Sequence, residues 1–207
     1  MDAAAHLVTT IAKLETLYAT PLPPAVVKET DRVSPHYRAL IEASPFCVVA
    51  TGGPDGLDCS PRGDAPGFVR VADDRTLLIP DRRGNNRIDS LRNLVHDPRI
   101  SLLFLIPGVG ETLRVNGRAA ITTDPALAAG FSVDGKAPKT VIVVTVERIY
   151  FQCAKAIKRS RLWDPARHVE RASLPSAGDI LAQLSGGEVG GEAYDREAPA
   201  RHQAQMY

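Results

Sequence analysis

The chain has 207 residues, of which 44% are hydrophobic and 24% charged, with a formal net charge of +1. That length predicts one domain with extra end segments and enough chain to bury a core. The near-neutral balance argues against a nucleic-acid or membrane-surface binder. No apolar run approaches bilayer length, and the N-terminus lacks the charged and apolar regions of a secretory signal, so a cytoplasmic protein is expected. Three cysteines, Cys47, Cys59 and Cys153, are odd in number and show no Cys-x-x-Cys spacing. They argue against a disulfide framework or a cysteine zinc site, and no metal is expected.

In chain order, residues 3–18 carry Leu7, Val8, Ile11, Leu14, Leu17 and Tyr18 at helical spacing. Pro21, Pro23 and Pro24 then predict an extended connection. Ser34-Pro35 opens a short helix to about Ala43. From Phe46 the pattern turns to strands. Phe46–Thr51 and Leu57–Pro61 flank a Gly-Pro-Asp-Gly turn. Phe68–Val71 with Thr76–Pro80, and Ile100–Ile106 with Glu111–Ile121, read as two further hairpins. Thr140–Phe151 is a long β-branched strand.

Helices are expected at Asn86–His96, from Asp124-Pro125 to Ala129, at Ala154–Arg161 and at Ser176–Leu184. Gly186-Gly187 and Gly190-Gly191 form a break before a polar tail. That tail is read as either a docked helix or disorder. About seven short strands predict a mainly β chain with flanking helices, an antiparallel, closed or partly closed barrel. The N-terminal helical segment covers about 1–44 and the C-terminal appendage about 154–207, around a single domain.

The segment with the clearest chemistry is Ile79-Pro80-Asp81-Arg82-Arg83-Gly84-Asn85-Asn86-Arg87. A strand enters a loop rich in arginine and asparagine just before a helix. Unpaired N–H groups and the dipole of a helix start favour an anion, and arginine forks match phosphate oxygens. The alternative is solvated surface charge with an ordinary helix cap. Two other segments have open readings. Arg62-Gly63-Asp64 is a pocket mouth or a local ion pair. Cys153 to Pro165 is a cofactor wall, a nucleic-acid strip, or a surface helix anchored by the single tryptophan. His36, His96 and His168 are read as surface or satisfied residues.

The Ser60–Asn93 run, with Ser60-Pro61-Arg62-Gly63-Asp64 and Ile79 to Arg87, resembles the pyridoxamine 5'-phosphate oxidase-like FMN-binding proteins. It is closest to a bacterial subgroup of unassigned substrate. Lys155-Ala156, Arg159-Ser160 and Leu162-Trp163-Asp164-Pro165 are similar to that subgroup's C-terminal signature. The resemblance covers about residues 30–170. It implies an FMN-binding split β-barrel, a homodimer with FMN at the subunit interface, and oxidoreductase action on a small molecule. The alternative is a flavin-binding or sensing protein without catalysis.

By resemblance the cofactor contacts are Arg62, Ile79, Pro80, Asp81, Arg82, Arg83, Asn85, Asn86 and Arg87, with Glu111 and Thr112 from the partner and Trp163 near the ring. Asp64, Lys155, Arg159 and Arg161 are substrate-binding candidates. The chain departs from true pyridoxamine-phosphate oxidases after Arg62 and at its C-terminal residues, which argues against that substrate. Haem or a deazaflavin in the same barrel is a further alternative, but no histidine is placed as an axial ligand.

Overall fold

The computed structural model describes residues 6–207. Two short helices come first, α1 (Ile11–Glu15) and α2 (Pro23–Val27). The predicted first helix is therefore shorter than its apolar stripe, because Thr10 caps it late by accepting from Lys13 N–H; residues 3–5 of that prediction lie outside the described ones. The proline-rich connection is helical rather than extended. Pro23 and Pro24 sit in the first turn, where a missing N–H costs nothing. Neither helix buries a side chain.

Helix α3 (Pro35–Ala43) starts where Ser34 accepts from Tyr37 N–H, and it sends Ile41 into the core. The strands follow as β1 (Phe46–Gly53), β2 (Gly56–Gly63), β3 (Arg70–Val71), β4 (Thr76–Pro80), β5 (Arg99–Leu105), β6 (Thr112–Thr122) and β7 (Val141–Gln152). They form one antiparallel sheet in the order β2-β1-β5-β6-β7-β4-β3. The sheet is not closed: β2 and β3 are its edges. Both edges are poor templates for further pairing, β3 because it has two residues and β2 because Pro61 lacks an N–H.

Alternating side chains of the inner strands make the core. Cys47 and Val49, Ile100, Leu102 and Phe104, Leu113 and Val115, and Val144 and Val146 all point inward. Helix α4 (Asp89–His96) covers β1, where Asn93 Nδ2 donates to Thr51 Oγ1 at 3.2 Å in a buried polar pair. The β6–β7 ladder is the longest and carries a bulge at Asn116/Gly117. Helix α5 (Pro125–Gly130) lies between those strands, and α6 (Lys155–Ser160), α7 (Ala177–Ser185) and α8 (Gly191–Ala204) follow them. The polar tail is therefore helical up to Ala204. No described helix is long and apolar enough to cross a membrane.

Burial pushes the Cys47 thiol up to about 12, against a smaller opposing pull from Arg62, whereas Cys59 and Cys153 are exposed. A thiol-disulfide reagent is therefore expected to modify two thiols in the native protein. The third should react only after denaturation. Rapid native modification of all three would show that the β1 face is not packed this way.

Candidate functional site

The end of β2, the loop after β4 and the loop before β7 enclose a cleft of about 770 Å³. That is the size range of cofactor sites. Its apolar walls include Pro61, Phe68, Pro80, Leu91 and Pro138. Five cationic residues line it: Arg62, Arg82, Arg83, Lys136 and Lys139.

Two of these cations are already neutralised. Arg82 Nε donates to Asp64 Oδ2 at 2.7 Å, and Arg82 Nη1 to the Phe131 carbonyl at 2.6 Å. The Asp64 side chain is only 5% exposed and that of Arg82 16%. Asp64 also accepts from Ala65 N–H and from the Tyr207 hydroxyl, both at 2.8 Å. Burial alone pushes its carboxyl up, but these three hydrogen bonds and the Arg82 charge hold it below the usual carboxylate range.

Arg62 lies 3.9 Å from Asp81, and its Nη2 donates to Ser90 Oγ at 3.3 Å. Burial pushes the Asp81 carboxyl up, with Arg62 partly opposing. The local Arg62–Asp64 pair considered from sequence is therefore replaced by a crossed pattern. Asp64 takes Arg82, and Asp81 faces Arg62.

The other three cations, Arg83, Lys136 and Lys139, have no carboxylate within salt-bridge distance among the described residues. Lys136 closes a tight hairpin turn through Asp134 (φ 50°) and Gly135 (φ 75°), in which Val133 and Lys136 exchange both backbone hydrogen bonds. That is the turn chemistry an Asp-Gly pair favours. The loop is tied to the cleft floor by Asp81 N–H donating to the Thr140 carbonyl at 3.0 Å. The Thr140 hydroxyl is buried and has no partner among the described residues.

The helix after the arginine loop starts later than its sequence suggests. Asn85 Oδ1 accepts from Arg87 N–H at 3.0 Å, Asn86 and Ile88 take left-handed backbone (φ 61° and 54°), and α4 begins only at Asp89. For a β-branched residue such as Ile88 that conformation is strained. Asp89 occupies the first turn of α4, and Asp58 Oδ2 accepts from Ser90 Oγ at 2.5 Å. Two carboxylates thus already meet the positive end of this helix. Arg87 does not line the main cleft. It pairs with Asp89 at 2.8 Å beside an adjoining depression of about 530 Å³.

Of the residues singled out from sequence, Arg62, Pro80, Asp81, Arg82, Arg83, Asn85 and Asn86 line the main cleft. Asp64 sits directly behind Arg82. Ile79 is fully buried, with its side chain in the core. Glu111, Thr112, Lys155, Arg159, Arg161 and Trp163 gather elsewhere. Thr112 pairs with Gln152 at one end of the β6–β7 ladder, whereas the cleft lies beyond Thr122 and Val141 at the other. Trp163 Nε1 donates to the Val109 carbonyl at 2.8 Å and pins the α6 region to the β5–β6 turn. Arg161 pairs with Asp164.

Sequence reading missed Lys136, Lys139, Thr140 and Tyr207. An Asp-Gly turn carrying a lysine was a usable signal for the first. Nothing local could place Tyr207, 143 residues from the aspartate it meets.

An open antiparallel split barrel with a cationic cleft against its sheet is the class this fold and site define. A family model for pyridoxamine 5'-phosphate oxidase matches residues 33–153, more than half the chain, and the chain belongs to that flavin-binding, oxidase-like family. Similar solved structures include HupZ from Group A Streptococcus (22% identity, TM-score 0.48), covering 58% of this chain and 94% of that one. A putative pyridoxamine 5'-phosphate oxidase from Lactobacillus delbrueckii is 18% identical (TM-score 0.46), covering 58% and 95%. A Clostridium acetobutylicum protein related to general stress protein 26 is also 18% identical (TM-score 0.44), covering 57% and 86%. No curated protein matches the chain.

Proposed function

We propose that this protein is an FMN-dependent oxidoreductase acting on a small molecule, with one flavin per cleft in a homodimer. The observation that carries this reading is the uncompensated charge of the cleft. Arg83, Lys136 and Lys139 face a space of cofactor size without an anion of their own. Asn85 and Asn86 add amide donors beside them. A phosphate ester with an attached planar ring fits both halves of this lining, the cationic loops and the apolar walls.

In this reading Arg83, Asn85, Asn86, Lys136 and Lys139 hold the phosphate. Arg82 does not contact it but is locked by Asp64 as part of the frame. Pro61, Phe68, Pro80 and Leu91 exclude water from the ring, and the free Thr140 hydroxyl gains a partner. When bound, FMN supplies hydride or electron transfer. Asp81, whose carboxyl burial pushes up against the pull of Arg62, keeps Arg62 in place at the cleft wall. Glu111, Thr112, Lys155, Arg159, Arg161 and Trp163 act on the cleft of a second copy, since they sit at the far end of their own ladder. Cytoplasmic location and a single folded unit are part of the same proposal.

The test is the visible spectrum of freshly purified protein with acid release of any chromophore, followed by titration with FMN and riboflavin. FMN is expected to be released and to bind more tightly than riboflavin. Arg83→Ala should cut FMN affinity about tenfold or more, the effect of one charge-assisted hydrogen bond. Riboflavin affinity should change little. Arg99→Ala, at an exposed pair with Asp97, should leave both unchanged. A colourless protein that takes up neither flavin would reject the reading.

A second reading is flavin binding without turnover. Single-turnover reduction of the bound flavin by candidate substrates separates the two.

A further inference from the structure

Among the described residues, a single hydrogen bond joins 176–207 to the rest of the chain, from the Tyr207 hydroxyl to Asp64 Oδ1 at 2.8 Å. Among the described residues no ion pair crosses that boundary either. Helices α7 and α8 satisfy each other instead, with Gly178 N–H donating to Asp195 Oδ1 at 2.8 Å. Neither helix buries an apolar side chain. After α8 ends, Met206 stays exposed while Tyr207 turns into the cleft wall, its ring centroid 5.4 Å from the Arg82 guanidinium carbon.

Asp64 does not need this third donor. Ala65 N–H and Arg82 Nε already compensate its charge from rigid positions. Release of Tyr207 therefore leaves the Asp64–Arg82 frame intact and no buried charge stranded. One hydrogen bond of modest net strength and the ring contact on Arg82 hold the C-terminal segment at the cleft wall.

We propose that Tyr207 is a latch on the cleft: its hydroxyl holds the C-terminal segment against the cleft wall, and ligands enter and leave when that bond breaks. Tyr207 is a positioning residue, acting through Asp64 and Arg82. The ligand's identity as FMN rests on the flavin reading above, but the latch itself does not.

The test uses the full chain and Tyr207→Phe, which keeps the ring on Arg82 and removes only the hydroxyl. FMN association and dissociation are followed by stopped-flow flavin fluorescence. Both rates are expected to rise about tenfold, with the dissociation constant changed less than about threefold. Without flavin, amide exchange over residues 176–207, the segment this bond holds, is expected to quicken by a similar factor.

The alkaline limb of the exchange rate gives an independent mark. The hydrogen bond to Asp64 raises the Tyr207 phenol above its usual range, and Asp134 adds to this while Arg82 opposes it. The wild-type rate of FMN dissociation should climb only beyond the usual phenol value of about 10, as the phenol ionises, and Tyr207→Phe should reduce that climb. Unchanged rates in the variant would overturn the latch. Faster dissociation with unchanged association would also overturn it, leaving Tyr207 as a wall contact. If wild type takes up no FMN, the flavin reading fails and the amide-exchange comparison still decides the latch.

Discussion

Arg82→Ala is expected to destabilise the protein by about 3–5 kcal/mol, the usual effect of removing one partner of a buried ion pair. It strands the Asp64 carboxylate, which is only 5% exposed, and it frees the Phe131 carbonyl. Urea unfolding measures the loss as a lower midpoint with little change in slope. Asp64→Ala should be costly for the same reason. The double variant should lose clearly less than the sum of the singles, because neither charge is then stranded.

The effect should also depend on pH. Asp64 is held below its ordinary range, so its stabilising contribution is present above the unfolded carboxylate value of about 3.9 and is lost as pH falls through the lower folded value. Wild type and Arg82→Ala should therefore converge in acid. Strict additivity of the two single variants, or a gap that does not narrow in acid, would mean that Arg82 and Asp64 act separately.

Gly117→Ala should also be damaging, through a different mechanism. Gly117 sits at the β6–β7 bulge, and a Cβ there would press into the Thr145 carbonyl oxygen, which is fixed backbone. Overpacking against an element that cannot shift costs about 1–3 kcal/mol or more. For a chain of this size that is on the order of 5–10 °C in Tm. Thermal unfolding followed by circular dichroism would show it. Gly84→Ala is the matching control: a Cβ there meets no neighbour and the backbone is not left-handed, so its cost should be small.

The strands were legible because each is a local pattern. The continuous apolar run Phe46–Thr51 and the β-branched run after Thr140 place β1 and β7 to within a few residues, and Asp-Pro and Ser-Pro pairs mark the nearby helix ends. The start of α4 was not legible. Its delay depends on an Asn85 side chain folding back on the Arg87 N–H and on two left-handed residues, one of them an isoleucine. Spacing says nothing about such a choice.

The arginine loop was legible as a cationic segment, and most of it lines the cleft. Which arginines remain free for an anion was not readable, because that depends on pairing between distant strands and loops. Arg82 is spent on Asp64, Arg87 on Asp89, and only Arg83 is left open. The tail could be read only as a docked helix or disorder, and its terminal contact could not be read. It joins residues that lie far apart in the sequence.

The three unpaired cations also shape how molecules arrive. A chain with a net charge of +1 has almost no long-range pull on solutes. Arg83, Lys136 and Lys139 nevertheless concentrate positive potential in one recess with apolar walls, where field lines are focused. Capture of an anionic ligand should therefore be fast at low ionic strength and slow markedly as the screening length shrinks toward about 8 Å. The same molecule should show little general affinity for polyanions, since its attraction is confined to a recess that only a small solute can enter.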